Sequence, residues 1–209
     1  QGAQKEALLP AADSPATLEG AARHNIANAL AAAALCRALG VDSEAIRIGL
    51  AQFRGDEDDN PGRGNWFEKD GVRILVDFAH NEHGTQALAD MIGRVPAERR
   101  ILLISQAGDR SDKDIRDMTT AACAMHPDRL LLCELPGYER GRQTGEVTAL
   151  IRDAGLECGI APVDISHYPT PRDAVAGALE MSRPGDLLVL LVLTQRKEVL
   201  ALLHDFLET

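Results

Sequence analysis

Three polar side chains stand directly after an apolar segment and form the part of the sequence best suited to chemistry. Residues 72–76 are rich in β-branched apolar side chains, and Asp77, His80 and Asn81 follow them. Such a run is typical of a buried parallel strand, whose carboxyl end presents polar groups to a ligand. An aspartate in that position is a suitable partner for a ribose hydroxyl. The sequence therefore predicts a binding site at the end of this strand.

Arg63 supplies a cation close to this strand in the sequence. It lies in residues 59–64, Asp-Asn-Pro-Gly-Arg-Gly, which contain too many turn formers for a helix or a strand. An arginine can bind a phosphate through two parallel hydrogen bonds, whereas a lysine acts as a point charge. A loop arginine and a strand-end carboxylate together indicate an anionic ligand that also carries hydroxyl groups.

Each of these groups also has a purely structural interpretation. Asp77 alone would most simply cap the next helix. Its combination with His80, Asn81 and Arg63 favours a functional site. His80 and His83 do not have the spacing of a standard metal-binding pair, and no cysteine is near them in the sequence. A structural or substrate-positioning role is therefore favoured over metal binding.

Two further loops contain glycine and charged residues. Gly108, Asp109 and Arg110 could form a tight turn with a solvated ion pair, or the glycine could let the backbone approach a ligand closely. Arg140 and Arg142 could belong to a solvated loop or to a loop that contacts an anion. The sequence leaves both alternatives open at each position.

Asn25 and Asn28 lie three residues apart in an alanine-rich segment that is predicted to be helical. They would share one face of the helix, although amides of this kind lower helix propensity. Either they make a buried polar contact between helices, or they present an amide to the edge of a purine.

The predicted elements that position these groups fall into two regions. Helices are predicted over residues 17–39 and 43–53, with Ser43 as the cap of the second, and they have no visible core of their own. Residues 65–69 and 72–78 form a predicted β-hairpin around Asp70 and Gly71. Strict alternation follows, with helices over 84–94, 112–125, 144–154, 171–182 and 196–207 and strands over 100–105, 129–133, 161–166 and 186–193.

This alternation predicts an open, mostly parallel α/β sheet with helices on both faces. In such sheets, ligands bind beyond the carboxyl ends of the strands. We therefore expect a helical segment over residues 1–55 and an α/β domain over residues 56–209.

Composition excludes several classes of function. The chain has 209 residues, a net charge of -10 at pH 7, 45% hydrophobic residues and 26% charged residues, which is typical of a soluble globular protein. The negative charge argues against nucleic acid as the partner, and no apolar run could span a membrane or serve as a secretory signal.

Four cysteines without metal-ligand spacing favour free thiols in the cytoplasm. No phosphate-binding loop, dinucleotide fingerprint or nucleophile elbow occurs, which disfavours a dehydrogenase and an α/β-hydrolase.

In their order and spacing, the motifs resemble the Mur ligase superfamily. Residues 24–32 resemble the end of that family's central ATPase domain, and residues 60–63 and 77–81 resemble the start of its carboxyl-terminal domain. Residues 108–115 and 140–146 are most similar to the cyanophycin synthetase type. The resemblance implies an ATP-dependent ligase that forms an amide bond through an acyl phosphate, with a Rossmann-like carboxyl-terminal domain that closes over ATP and helps bind the incoming amino acid.

The resemblance also implies roles for individual residues. Asn28 would contact adenine, Arg63 the phosphates of ATP, and Asp77 the ribose. The cleft between the domains would be shaped by His80, Asn81, Asp109 and Arg110. Among these residues Arg63, Asp77 and His80 are the predicted catalytic group, and none is a metal ligand. Magnesium would be bound mainly by the central domain.

The sequence also departs from the family pattern. The phosphate loop and most of the central domain would precede Gln1. We therefore expect this chain to be the carboxyl-terminal part of a longer ligase and to be inactive alone. Its expected partners are the remaining domains of the ligase, an amino acid or peptide, and a second copy of the chain in a homo-oligomer. Phe78 stands where the family usually has tyrosine, and Glu82 where proline often follows. Two alternatives stay open: a non-catalytic nucleotide- or partner-binding module derived from a Mur ligase, and a separate α/β protein for another small anion.

Overall fold

The strand that ends at Asp77 lies in the second of two units into which the internal contacts divide the chain. The computed structural model describes residues 6–209, and the division separates Gln1–Pro61 from Gly62–Thr209. Among the described residues, none of the helices has the length and apolar character needed to cross a membrane.

The first unit is helical, as predicted, but its first helix begins later than predicted and its second helix has a different cap. Two short 3-10 turns, Ala11–Asp13 and Pro15–Thr17, precede α1 (Arg23–Ala38) and α2 (Ser43–Gln52). The helix predicted from residue 17 begins only at Arg23, since the chain first takes left-handed backbone angles just after the second turn. Ser43 is not the cap of α2, because Asp42 accepts a hydrogen bond from the backbone N–H of Glu44 at 2.9 Å.

The second unit contains a six-stranded sheet in the order β1-β2-β6-β3-β4-β5. Only β1 and β2 pair in an antiparallel manner, and the other strand pairs are parallel. The predicted fold class is therefore confirmed. The elements are β1 (Asn65–Lys69), β2 (Val72–Asp77), α3 (Glu82–Ile92), β3 (Arg99–Ile104), α4 (Asp112–Cys123), β4 (Arg129–Cys133), α5 (Glu146–Glu157), β5 (Ile165–Tyr168), α6 (Pro171–Glu180), β6 (Asp186–Leu191) and α7 (Arg196–Glu208).

Helices cover both faces of this sheet, which explains why its central strands are apolar without interruption. Alternate strand residues such as Ile74, Leu103 and Leu188 pack in one buried cluster with residues of α6 and α7. The intervening residues, such as Leu102 and Val189, are equally buried and point to the opposite face. There α3, α4 and α5 pack side by side.

Two predicted elements are displaced for identifiable reasons. The strand predicted over 161–166 lies at Ile165–Tyr168, because Pro162–Asp164 form a 3-10 turn and proline cannot donate a ladder hydrogen bond. The helix predicted to end at residue 154 continues to Glu157. Its Gly155 lies so close to β4 that a Cβ there would be 2.8 Å from Leu130 Cδ2. This glycine serves close packing of helix on sheet and does not end the helix.

One buried ion pair joins the amino-terminal ends of β3 and β6. Arg99 Nε donates to Asp186 Oδ1 at 3.0 Å, and Arg99 Nη2 also donates to the carbonyl oxygen of Met181 at 2.9 Å. The side chains are 18% and 3% exposed. The hydrogen bond to Asp186 is the main cause that raises the pKa of Arg99 above its usual value. The pair lies at the amino-terminal ends of the strands, whereas the predicted site lies at their carboxyl ends.

Candidate functional site

Asp77 is the last residue of β2 and shapes the turn that follows. Its Oδ1 accepts a hydrogen bond from the backbone N–H of Ala79 at 2.7 Å, while its carbonyl accepts one from Val192 at 2.9 Å. It does not cap α3. That helix is capped by Asn81, whose Oδ1 accepts from the backbone N–H of Gly84 at 2.9 Å. Asn81 therefore already has a structural role in the site.

The structure brings Arg63 to the same strand end through the ring of Phe78. Arg63 Cζ lies 4.8 Å from the ring centroid, a cation–π distance. The rings of Phe78 and His80 are also in contact, with centroids 5.1 Å apart and planes tilted by 51°. The cationic loop and the end of β2 thus meet in one stacked group, Arg63–Phe78–His80.

His80 is fixed by two backbone contacts. Its Nδ1 lies 3.0 Å from the carbonyl oxygen of Phe78, so a tautomer with the proton on Nδ1 can donate to that carbonyl and leaves Nε2 as an acceptor. Gln106, which follows β3, donates from Nε2 to the carbonyl oxygen of His80 at 3.3 Å. Gln106 was not among the predicted site residues. An amide side chain at the end of an apolar run was the sequence signal that could have identified it, and the structure shows this side chain to be buried.

A small cleft of about 190 Å³ opens beside His80. It brings together His80, Asn81 and Arg110 from the predicted set, whereas Arg63, Asp77 and Asp109 do not line it. The side chains of Ser111 and Asp114 form a capping box at the start of α4, and the hydrogen bond from the Ser111 side chain is the main cause that lowers the pKa of Asp114. The full lining is His80, Asn81, Glu82, His83, Gln106, Arg110 and Asp114.

A larger cleft of about 530 Å³ lies on the Phe78 side and was missed in the sequence analysis. Gln195 has a left-handed backbone (φ 55°) and accepts from the backbone N–H of Arg172 at 3.2 Å. Gly62 packs against Arg196 so closely that a Cβ would lie 2.3 Å from its Cδ. The lining consists of Phe78, Pro136, Tyr138, Leu193, Thr194, Gln195, Arg196, Lys197 and Glu198. The only sequence signal for this cleft was the group of polar residues that follows β6.

Asp109 and Arg110 are exposed on a loop that a neighbouring loop holds in place. Arg142 Nε donates to the carbonyl oxygen of Gly108 at 3.0 Å, and its Nη2 donates to the carbonyl of Arg110 at 2.8 Å and to Asp112 Oδ1 at 2.7 Å. The N–H groups of Arg142 are thus largely used in hydrogen bonds to other atoms of the protein. We therefore interpret Arg142 as a brace for the loop and not as an anion contact.

Gly108 is required by the protein and not by a ligand. Its N–H donates to the carbonyl oxygen of Tyr138 at 2.9 Å. A Cβ at this position would lie only 1.8 Å from the carbonyl oxygen of Glu139. The close approach that the sequence suggested is therefore an approach between two loops.

Replacing Gly108 by alanine is expected to lower the free energy of unfolding by about 1–3 kcal/mol or more, since backbone atoms must move to admit the methyl group. Denaturant unfolding followed by the fluorescence of Trp66, the only tryptophan, measures this loss. Gly93→Ala is the matched control, because Gly93 has α-helical backbone angles and a Cβ there would lie 3.4 Å from the carbonyl oxygen of Ala89, an ordinary contact distance. Equal stabilities of the two variants would contradict the loop contact.

The asparagines of the first unit differ in their surroundings. Asn25 Nδ2 donates to the carbonyl oxygen of Ala16 at 2.7 Å and so ties the preceding turn to α1. This is a structural contact within the unit. Asn28 is exposed on α1. Within residues 6–209, no group of three or more histidine, cysteine, aspartate or glutamate side chains is placed to hold a metal ion.

Comparison with known proteins places these features in a family. The family model described as Mur ligase, glutamate ligase domain, matches residues 62–191. Cyanophycin synthetase from Crocosphaera subtropica is 34% identical over 178 residues, which cover 84% of this chain and 20% of that protein. UDP-N-acetylmuramate–L-alanine ligase from Allorhizobium ampelinum is 30% identical over 182 residues, or 84% of this chain and 36% of that protein. The chain thus spans only about a fifth to a third of these relatives.

Solved structures agree at the level of the fold. FolC from E. coli in complex with ADP has a TM-score of 0.64 and 22% identity, and the match covers 85% of this chain and 39% of FolC. A murein peptide ligase from Psychrobacter arcticus has a TM-score of 0.60 and 18% identity, covering 89% and 37%. The family resemblance inferred from the motifs is confirmed. The chain belongs to the Mur ligase family, and its second unit carries the glutamate ligase domain.

Proposed function

We propose that this chain is the carboxyl-terminal part of an ATP-dependent ligase of the cyanophycin synthetase type, which forms amide bonds through an acyl phosphate. The observation that carries the proposal is the stacked group Arg63–Phe78–His80 beside Asp77 at the carboxyl edge of the sheet. In this proposal residues 1–55 are the end of a central ATPase domain, and residues 56–209 form the domain that closes over ATP.

Arg63 has the geometry to bind a phosphate. Its Cζ lies 4.8 Å from the centroid of the Phe78 ring, and its planar guanidinium group carries N–H bonds that can bind a phosphate in a bidentate manner. The side chain is exposed, so an anion can approach these N–H bonds. Stacking would reduce the side-chain entropy that Arg63 loses when it binds the phosphates of ATP.

Asp77 and His80 are suited to the nucleoside side of the same ligand. The Asp77 carboxylate is a hydrogen-bond acceptor at the end of β2, and a ribose hydroxyl would donate to it. His80 would offer Nε2 as an acceptor at the mouth of the smaller cleft. Asn81 and Arg110 line this cleft and would shape it for the ligand, and Asp109 lies beside Arg110 on the same loop. Asn28 of the first unit would contact adenine.

The proposed reaction has two steps. A substrate carboxylate oxygen attacks the γ-phosphorus of ATP, ADP leaves, and an acyl phosphate forms. The amine nitrogen of the incoming amino acid then attacks the acyl carbon, and phosphate leaves as the amide bond forms. The chain's contribution is to position ATP and the amine and to neutralise charge. In this proposal magnesium would be bound mainly by the central domain, where it would help to neutralise the phosphate charge.

The larger cleft is the proposed place for the incoming amino acid. Its cationic residues, Arg196 and Lys197, can attract a carboxylate, and Phe78 and Tyr138 supply apolar walls. Phe78 belongs to both this cleft and the stacked group with Arg63. The amine would therefore be held close to the phosphate-binding arginine.

The test is amino-acid-dependent turnover by the full-length protein that contains this chain. We expect release of ADP and phosphate only when both acceptor and amino acid are present, and formation of a hydroxamate when hydroxylamine replaces the amine. The 209-residue chain alone is expected to show no ATP hydrolysis, since its sequence contains no phosphate-binding loop. A full-length protein that binds nucleotide without turnover would instead be the non-catalytic module named above.

A further inference from the structure

Two cysteines lie at matching ends of neighbouring helices. Cys123 is the last residue of α4, and Cys158 directly follows α5. These helices follow β3 and β4, which are adjacent and parallel, so both helices run back toward the same edge of the sheet. The two helices pack against each other. The two thiols therefore lie toward the same end of one helix pair.

One side-chain contact shows which face of α4 is turned toward the end of α5. Arg116 Nη1 lies 3.1 Å from Glu157 Oε1, one residue before Cys158, and Cys123 shares the face of α4 that carries Arg116, because the two residues are seven apart. The thiols of Cys123 and Cys158 also interact with each other. Burial and then the hydrogen bond with Cys158 raise the pKa of Cys123 to about 12. The first thiol is half-buried and the second is exposed.

The other cysteines have no such arrangement. Cys133 is buried within β4, and burial raises its pKa to about 12. Cys36 belongs to α1 of the first unit. Among the described residues, Cys123 and Cys158 are thus the thiols that combine mutual contact with access from solvent.

We propose that Cys123 and Cys158 are a redox site that forms a reversible disulfide between α4 and α5 when a peroxide is present. The exposed Cys158 thiolate attacks one peroxide oxygen, the O–O bond breaks, and a sulfenic acid forms with release of one water. The sulfur of Cys123 then attacks the sulfenic sulfur, and its proton leaves with the hydroxyl as a second water. Two thiols are oxidised to one disulfide, and one hydrogen peroxide is reduced to two waters.

The disulfide would act on the elements that carry the candidate site. The loop with Asp109 and Arg110 leads into α4, and the loop with Arg142 leads into α5. Arg142 already joins these loops at the carboxyl edge of the sheet. A covalent bond at the other end of the same helices would restrict their relative motion. Reversible disulfides of this kind are typical of redox sensing where the surroundings are otherwise reducing.

Hydrogen peroxide added to the reduced 209-residue chain tests this site. We expect the free thiols to fall from the four of the sequence to two, with the loss of two hydrogens in intact mass and a peptide containing both cysteines on digestion. Dithiothreitol should reverse these changes. The melting temperature monitored at Trp66 should rise on the order of 5–10 °C on oxidation.

Single substitutions separate this disulfide from general oxidation. Cys123→Ser and Cys158→Ser should each abolish the intramolecular cross-link, while Cys36→Ser should leave it intact. Circular dichroism of each reduced variant establishes that it is folded. Sulfinic acid at Cys158 without a cross-link, or a disulfide that joins two chains or includes Cys36, would overturn the proposal.

Discussion

If the proposed function is correct, replacing Arg63 by alanine in the full-length protein is expected to lower kcat by about 10²–10³-fold, the usual loss when one positioned group that stabilises developing charge is removed. The reason is local, because Arg63 Cζ lies 4.8 Å from the centroid of the Phe78 ring and the side chain is exposed to an approaching phosphate. The measurement is steady-state ADP release with saturating acceptor and amino acid.

Two variants make this test specific. Arg63→Lys keeps the charge but loses the planar fork, so we expect only partial recovery. Arg94→Ala removes an exposed arginine after α3, near the opposite edge of the sheet, and should leave kcat unchanged. If Arg63→Ala behaves like Arg94→Ala, the phosphate-binding role of the stacked group is wrong.

The ring of Phe78 contributes by holding the arginine. We therefore expect Phe78→Leu to raise the KM for ATP, whereas Phe78→Tyr should retain wild-type behaviour because the ring face is preserved. The expected effect is smaller than that of Arg63→Ala, since an exposed cation–π contact is worth about 0.5–1 kcal/mol.

Replacing Asp186 by alanine is expected to lower the free energy of unfolding of the second unit by about 3–5 kcal/mol, because it leaves a buried guanidinium without its partner. Asp186 is only 2% exposed. Its carboxylate accepts from Arg99 Nε at 3.0 Å and from the backbone N–H of Arg183 at 2.9 Å. Denaturant unfolding followed at Trp66, which lies in β1 of the same unit, gives the stability.

The exposed ion pair between Arg116 and Glu157 is the control. Its side chains are 37% and 72% exposed, so Arg116→Ala should cost less than about 1 kcal/mol. Removing both members of the buried pair with apolar residues of similar size, Arg99→Met and Asp186→Leu, should recover much of the loss, because no unpaired charge then remains. A loss as small for Asp186→Ala as for Arg116→Ala would contradict this account of the pair.

The parts of the fold that follow from short stretches of sequence were predictable. The apolar run before Asp77 and the alternation of later strands and helices predicted a parallel sheet. In a parallel sheet the carboxyl ends of all strands lie on the same side, which predicted where the site would be. Asp70 and Gly71, the turn between β1 and β2, have the left-handed angles that this dipeptide favours. Each of these features depends on residues close together in the chain.

The features that could not be predicted depend on contacts between distant residues. Gly108 is needed because of Glu139, and Arg142 braces the carbonyls of residues more than thirty positions earlier. The larger cleft requires the end of β6 to lie beside Phe78, which follows only from the strand order. Sequence motifs identify polar loops, but they do not identify which loops contact one another.

The position of β6 in the sheet has a consequence for biosynthesis. β6 follows the other five strands in the sequence, yet it lies between β2 and β3 and pairs with both. Until the ribosome has released β6, both of those strands have an unpaired apolar edge of the kind that promotes aggregation. The nascent unit therefore cannot complete its sheet during translation of its first five strands. A product that terminates before residue 186 would expose these edges to chaperones and proteases.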